Sequence, residues 1–546
     1  MLINVDKVKE LFRQAQDYKA DVRDSYNTTY KFTDPFFEIK DSGRKEKSEK
    51  RKIDSTTLVS IRFLVNFIMT SLFSRSGTWA VLKVNPGVYS EIFETDGEIA
   101  TANIEKLNAV MESNSELVYQ TNEMTNYYVE TAKALRDCCV VGTGVRKTIE
   151  LASNSKPFTY EFVSLDNFYF LEDSFGHPTI TFKIHPEKNL QQLNDMFGHI
   201  SGFKAPSELV DEDNLKKTVS VIECCIPDFN EKNSITNFIH ILYTEGFDEL
   251  LFERVIKRNP YRVFRWGTVS SNPWGVGIGR ENTDLFEDLE RYKENRSKHA
   301  DKIVDPPGNW KGNIDLINKA SFEPGARNYA GDGLTPENDM GYQPINIGGS
   351  LIPLENDIAD CRQRIREIFM AQPLGDVLDT KNRSATEMSL RHEMFRKEFS
   401  GAYELLNTEL LQPTFLDAYI IMQDKGLLDT GENKEFDDNQ FLEYSQISYI
   451  NELTKSAGAE EVMNVVNWYS VNSQLVDETR RKYLIKTGEF TKWSAEKMRV
   501  PLELLHTTEE INSMIQQAEQ IEQLQALSEV QAEPLQNQVG KIVEGM

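Results

Sequence analysis

Positive charge is scarce in this sequence: 61 Lys and Arg stand against 86 Asp and Glu, a formal net charge of −25. A surface this acidic excludes nonspecific adhesion to DNA or anionic lipid over most of its area, so any DNA contact is local or weak. Long apolar runs are missing as well. The most apolar stretch, Ile61 to Phe73, contains Arg62 and Asn66 and is too short for a bilayer core of about 30 Å, so it reads as a core helix and no membrane partner is expected. The opening segment carries Asp6, Lys7, Lys9, Glu10, Arg13, Asp17 and Lys19, which leaves no room for the apolar core of a signal peptide, and secretion by that route is not expected. Cysteine is sparse. Cys138, Cys139, Cys224, Cys225 and Cys361 form two adjacent pairs and a single residue without zinc spacing, so reduced thiols in a cytosolic compartment are expected.

Catalytic signatures are lacking too. In Gly142-Thr143-Gly144-Val145-Arg146-Lys147-Thr148 an arginine occupies the place where a phosphate loop needs glycine, and the segment reads as a helix-to-strand turn. Gly275-x-Gly277-x-Gly279 has the wrong final spacing for a dinucleotide fingerprint and follows Pro273; a hinge is expected there. The seven histidines fall in no H-E-x-x-H motif, and no G-x-S-x-G elbow is present, so each histidine reads as a surface or packed residue. Glu172, Asp173 and the run Asp211-Glu212-Asp213 lack calcium-loop spacing. No catalytic residue, cofactor or metal is expected.

What the sequence does contain is enough apolar material to fold: 39% hydrophobic residues, with 30 Phe and 20 Tyr among 546 positions, in about three or four structural units. The expected class is α+β, mainly α. Helical periodicity covers 5–31, 53–75 and 98–140, with Asp54, Ser55 and Thr56 as capping candidates for the second helix. Between the first two, Arg44 to Lys52 is an exposed basic loop. From 158 to 267, short β-branched and aromatic runs such as Phe158 to Val163, Thr179 to Ile184, Thr218 to Cys224, Phe238 to Tyr243 and Tyr261 to Trp266 predict a mostly antiparallel sheet. A helix over about 282–301 places Leu285, Leu289, Tyr292 and Arg296 on one face and stops at Asp305-Pro306-Pro307-Gly308. Residues 302–350 are rich in Pro and Gly and predict an irregular or small β module. Leu354, Ile358, Cys361, Ile365 and Ile368 then form an apolar stripe whose natural partner is the helix before the insert. After the loop Gln372 to Arg383, Ser384 and Glu387 make a capping box for a long helix that Pro413 kinks and that ends near Gly426. The last 115 or so residues are acidic and contain a second box, Thr507 with Glu510.

The cations gather around this helix, insert, helix arrangement: Arg291, Lys293, Arg296, Lys298 and Lys302 before the insert, Arg362, Arg364 and Arg366 after it, and Lys381 with Arg383 in the following loop. Singly, each reads as solvated or paired with Glu287, Glu290, Glu294 or Glu367. Together they suit a sparse lining for a polyanion.

Four stretches resemble the portal, or head-to-tail connector, proteins of tailed bacteriophages, particularly the short-tailed T7-like type. They are Lys50-Arg51-Lys52-Ile53-Asp54-Ser55-Thr56-Thr57 with the following apolar helix and Trp79; Asn272-Pro273-Trp274-Gly275-Val276-Gly277 through Lys302 to Asp305-Pro306-Pro307; Glu355 to Phe369; and Ser384-Ala385-Thr386-Glu387-Met388 through Glu409-Leu410-Leu411-Gln412-Pro413 to Gly426. Thr57 stands where alanine is common in the family, and the last 115 or so residues carry no signature of it. The resemblance implies the portal fold, with a wing over 1–280 and 384–430, stem helices over 281–301 and 351–371, a clip over 302–350, a tunnel loop over 372–383 and a crown over 431–546. It implies a cyclic ring, usually of twelve, at one capsid vertex, a channel through which double-stranded DNA is packaged and ejected. The ring needs no active site of its own. Implied partners are further copies of the chain, the terminase large subunit and then tail adaptor proteins, and the major capsid and scaffolding proteins. Implied locations are the virion and, during assembly, the host cytoplasm. Lys381 and Arg383 become tunnel-loop DNA contacts, Arg291, Lys293, Arg296 and Lys298 stem-channel contacts, and Asp305 and Trp310 clip-docking contacts. A nucleic-acid-processing enzyme would need a two-metal carboxylate site, and none has convincing spacing. An acidic helical scaffold would explain the charge but not the order of elements.

Overall fold

The computed structural model describes residues 3–34, 54–73, 77–93, 97–198, 200, 202–209, 217–228, 237–310, 321, 323–324, 327–328, 342–344, 351–371, 401–429, 445–449, 452–475, 485–498, 500 and 514. The chain separates into two compact units, Met1–Phe73 with Gln120–Leu427, and Ser74–Tyr119 with Leu428–Met546. Helix and strand are mixed within one chain, the expected α+β class.

In the first unit, α1 (Val5–Thr33) starts at Asn4, whose side chain accepts the Asp6 N–H at 3.0 Å. Its apolar face docks on the β region: Phe12 meets Tyr169, Phe182 and Phe247 edge-on at 5.3–5.6 Å between ring centres. Lys19 Nζ donates to the carbonyl oxygens of Leu165, Asp166 and Phe168 at 2.6, 2.5 and 3.2 Å. Helix α2 (Ser55–Leu72) is capped by Asp54, as expected, with Thr56 N–H donating to its carboxylate at 2.8 Å. By length and composition α2 reaches the minimum for a membrane span, but half of it is buried, which fits the core-helix reading.

The expected continuous helix over 98–140 is two: α4 (Gly97–Glu123), which follows the short α3 (Pro86–Phe93), and α5 (Tyr127–Val141). The break has a polar cause. Asn126 turns its side-chain amide onto a strand, donating to Tyr160 O at 2.7 Å and accepting from Tyr160 N–H at 3.0 Å. These bonds hold Asn126 outside helical geometry.

The β region is antiparallel throughout but forms two sheets rather than one. Three strands, β2 (Thr143–Glu150), β3 (Phe158–Phe162) and β9 (Tyr261–Arg265), are ordered β3-β2-β9. Five more, β4 (Phe168–Glu172), β5 (Pro178–Lys188), β6 (Val219–Pro227), β7 (Phe238–Thr244) and β8 (Leu250–Ile256), form a meander in sequence order. A short helix, α6 (Leu190–Phe197), lies between β5 and β6 in the chain and buries Leu193 and Phe197.

After the single turn α7 (Ile278–Glu281), α8 (Thr283–Val304) and α9 (Ile352–Ile368) form a hairpin on either side of the insert. Ile358, Cys361 and Ile365 of the expected stripe are buried, and Phe286 stacks on Phe369 with ring centres 6.0 Å apart. The buried α8 residues are Phe286 and Leu289; Arg296, two turns beyond Leu289 on the same face, is exposed and reaches Glu355 of α9. The insert shows the expected small β module: β10 (Gly308–Trp310) runs between β11 (Arg327–Asn328) and β12 (Tyr342–Pro344). Residues 401–406 are helical, Asn407–Leu411 form a π-helical turn, and α10 (Gln412–Asp424) carries Pro413 in its first turn. Proline has no N–H to return to the preceding turn, and that missing bond accounts for the wide turn where the sequence predicts a kink. Gly426, at φ 65°, closes the helix.

In the second unit, β1 (Ala80–Val84) pairs antiparallel with β13 (Ser445–Tyr449). Val84 N–H donates to Asn108 at 2.8 Å, and the Asn114 amide exchanges two hydrogen bonds with the Asp429 backbone at 2.7 and 3.0 Å. Trp79, Leu107, Met111 and Val118 are buried here. Helices Glu452–Leu475 and Thr487–Met498 complete the described part, joined by Lys497 and Glu461 at 2.5 Å.

Candidate functional site

The α8–α9 hairpin carries the site expected from sequence, and its base is organised by a carboxylate. Asp54 is buried, and besides capping α2 it takes Arg362 of α9 at 2.8 Å and Lys293 of α8 at 3.4 Å. Its own N–H donates to Glu290 of α8 at 2.7 Å. Burial works to raise the Asp54 carboxyl, but the bonds from Arg362 and Thr56 and the charge of Lys293 outweigh it and hold it down to about 2. One residue thus ties α2 to both helices of the hairpin.

Four of the five cations expected along α8 have a carboxylate partner. Arg291 pairs with Asp288 at 2.8 Å, Lys293 with Asp54 and Glu290, Arg296 with Glu355 of α9 at 3.0 Å, and Lys298 with Glu294 at 2.6 Å. On α9, Arg364 pairs with Asp360 at 3.0 Å. Apart from the Lys293 bond to buried Asp54, these pairs are exposed and contribute only about 0 to 1 kcal/mol each, so they remain free to rearrange. Asp305 is exposed at the end of α8, where its N–H donates to Asp301 O at 2.9 Å. Trp310 lies in β10, opposite Tyr342 in the register with β12. Lys381, Arg383 and the loop that holds them lie outside the described residues.

The glycines before the hairpin are packed, which corrects the hinge expected from sequence. Gly142 caps α5 with φ 106°, the helix-to-strand turn foreseen, and the chain at 275–279 lies directly against it. A Cβ on Gly277 would stand 2.5 Å from Gly142 N and 2.9 Å from the carbonyl oxygen of Cys138; one on Gly279 would stand 2.6 Å from Val140 O. Close backbone approach is what these glycines permit. Tyr26 and Thr143 hold the crossing: Tyr26 OH donates to Gly275 O at 2.9 Å, and Gly275 N–H donates to Thr143 Oγ1 at 2.9 Å.

Two buried networks escaped the sequence reading. Glu223 on β6 is fully buried and accepts from Lys147 Nζ at 2.8 Å, His185 Nε2 and His240 Nε2 at 2.9 Å each, and Tyr261 OH at 2.6 Å. Burial alone would raise its carboxyl, but Lys147 and the two imidazoles hold it well below the usual range. Both histidines are pushed down by burial, against the opposing pull of Glu223. Arg254 Nε donates to His240 Nδ1 at 3.4 Å, so this imidazole is neutral with its proton on Nε2. The second network joins Arg265 to Glu409 and Glu172. The histidines are therefore packed, as expected, but not isolated.

Anchored helices, a β insert between them in the chain and cations already matched by carboxylates are what the described part of this hairpin presents. The family model for bacteriophage head to tail connecting proteins matches residues 5–505, and the chain belongs to that family. It is thereby a phage portal protein by class and a structural component of the virion that joins head to tail. No curated protein matches the chain.

Proposed function

We propose that copies of this chain close into a ring of about twelve at one capsid vertex, through which double-stranded DNA is packaged and later ejected. The α8–α9 hairpin is the stem, 302–350 the clip that docks the terminase large subunit and then the tail adaptors, 372–383 the tunnel loop and 431–546 the crown. Residues 1–280 and 384–430 form the wing. Major capsid and scaffolding proteins are its partners during assembly in the host cytoplasm, and the ring stays at the capsid vertex of the virion.

The observation that carries this reading is the hairpin pinned by Asp54 to α2, within a chain matched by the connector family over 5–505. A stem must keep its angle while force is applied along it, and a buried clamp on both helices provides that. Partners for Arg291, Lys293, Arg296 and Lys298 suit a wall that DNA passes without being held, whereas unpaired basic rings would grip it. Asp305 and Trp310 remain our candidates for docking, Lys381 and Arg383 for transient phosphate contact.

Negative-stain microscopy of the purified protein tests the reading. Rings with a central channel are expected; a monodisperse single chain of 62.7 kDa at micromolar concentration refutes it.

A further inference from the structure

We propose that the β4–β5 hairpin tip at Phe175 is a knob that docks on a second copy of this chain, seating on the outward face of α2 at Val59 and Phe63. The inference rests on the ring reading above and names one contact that would build it.

Phe175 is 87% exposed, the most exposed aromatic side chain among the described residues. It stands on a turn that is rigidly built. Asp173 Oδ1 accepts the N–H groups of Phe175 and His177 at 2.8 and 2.9 Å, Asp173 N–H donates to His177 O at 2.8 Å, and Gly176 takes φ 82°. Arg265 fastens this turn from below: it donates to Gly176 O at 2.8 Å and pairs with Glu172. A solvent-exposed turn gains nothing from an aromatic residue, since Gly, Asn, Asp and Ser serve such positions better. An aromatic held on a pre-formed turn loses little freedom on binding, which is what an interface anchor needs.

The proposed seat is on the same compact unit. Helix α2 buries Ile61, Leu64, Val65 and Ile68, yet its other face presents Val59, 60% exposed, and Phe63, 39% exposed, one turn apart. Between them in sequence is Arg62, which is exposed and makes no ion pair among the described residues. The knob is acidic through Asp173, so apolar and charged groups match across the contact. That matching matters because two chains of net charge −25 repel each other unless opposite charges meet locally. Two different patches on one compact unit make a head-to-tail contact, the type that repeats around a ring.

The test uses the full chain. Wild type, Phe175→Asp and Val59→Asp are compared by mass photometry across protein concentration, with far-UV circular dichroism to confirm the fold. The expected result is that each substitution raises the concentration for half-assembly at least tenfold. Independently, the Val59→Cys/Phe175→Cys double variant, mildly oxidised, should give a ladder of covalent multimers that neither single variant gives, because the native cysteines are buried. Assembly of Phe175→Asp at wild-type concentration without a ladder overturns the knob and leaves the ring reading intact. Rings that form normally with Phe175→Asp but fail to enter capsids place the knob against the capsid protein, which also overturns the proposal. A wild type that stays a single chain refutes the ring reading itself.

Discussion

Arg265 at the end of β9 and Glu409 in the π-helical turn form a buried pair in which the carboxylate receives both side-chain and backbone donors of the same residue. Arg265 Nε reaches the two oxygens at 3.0 and 3.3 Å, and Arg265 N–H reaches one of them at 2.8 Å. Both side chains are nearly inaccessible to water. Burial works to raise the Glu409 carboxyl and does so on balance, against the bonds from Arg265.

Removing one member of this pair leaves an uncompensated buried charge. Glu409→Ala should therefore destabilise the first unit by about 3 to 5 kcal/mol, whereas Glu409→Gln, which keeps acceptors near Arg265, should cost less. Urea unfolding followed by tryptophan fluorescence measures both; equal losses would mean that shape rather than charge holds the turn.

Acid should loosen the two-sheet region through Glu223 and its histidines. Glu223 is held below, and His185 and His240 are pushed below, their ordinary values. The unfolded chain therefore binds protons first as pH falls. The stability linked to the histidines declines from about pH 6.5 downward, and that linked to Glu223 from about pH 4.5. Asp137 acts in the opposite sense, because burial raises its carboxyl to about 7 and the folded state takes up its proton first. Asp137→Asn should accordingly steepen the loss of melting temperature between pH 7 and 4. A shallower slope in that variant would contradict the assignment.

The Asp54 clamp makes a local prediction. Asp54→Ala removes the cap of α2 and frees Lys293 and Arg362, which are partly solvated. The expected cost is about 1 to 2 kcal/mol, mostly from the cap. Amide exchange in α8 and α9 should accelerate more than in β6 or β7; uniform acceleration would show that the hairpin does not depend on this anchor.

Glycine substitutions separate packing from chain freedom. Gly277→Ala drives a methyl into the backbone of Gly142 and should cost about 2 to 4 kcal/mol, while Gly401→Ala, in a helix with open space around it, should gain about 0.5 to 1 kcal/mol. Thermal unfolding of the two variants decides it. A tolerated Gly277→Ala would restore the hinge.

Long elements with one apolar face were legible in the sequence. The burial of Ile358, Cys361 and Ile365 follows their four-three spacing, and Asp54 signals its cap by standing before Ser55 and Thr56. In the β region, strands β4 and β8 were not foreseen, and β2 only through the helix-to-strand turn that opens it. In β2 the residues that face inward include Arg146, which lies over the rings of Tyr127 and Tyr160 at 5.0 and 4.4 Å, so its pattern does not alternate between apolar and polar. The Glu223 network was illegible for a different reason. Its members lie on six strands of the two sheets when Arg254 is included, and strand register brings the histidines to Glu223, which stands opposite Lys183 and Leu242, two residues from the rows of His185 and His240. Nothing in local spacing encodes that alignment. The portal family was legible because its motifs keep their order along the chain, a property independent of contacts.

The paired cations of the α8–α9 hairpin have a consequence for anything anionic that moves past them. An isolated ammonium attracts through a potential that decays with the inverse of distance, but one standing 2.6 to 3.4 Å from a carboxylate, as Lys298 and Lys293 do, forms a dipole whose potential decays with the inverse square. At physiological salt, screening over about 8 Å removes most of what remains. A phosphate would then feel each pair only at near contact, attracted by one end and repelled by the other. Along the hairpin these impulses alternate in sign and largely cancel, so the surface is corrugated on the scale of single side chains and smooth on the scale of a helical turn of DNA.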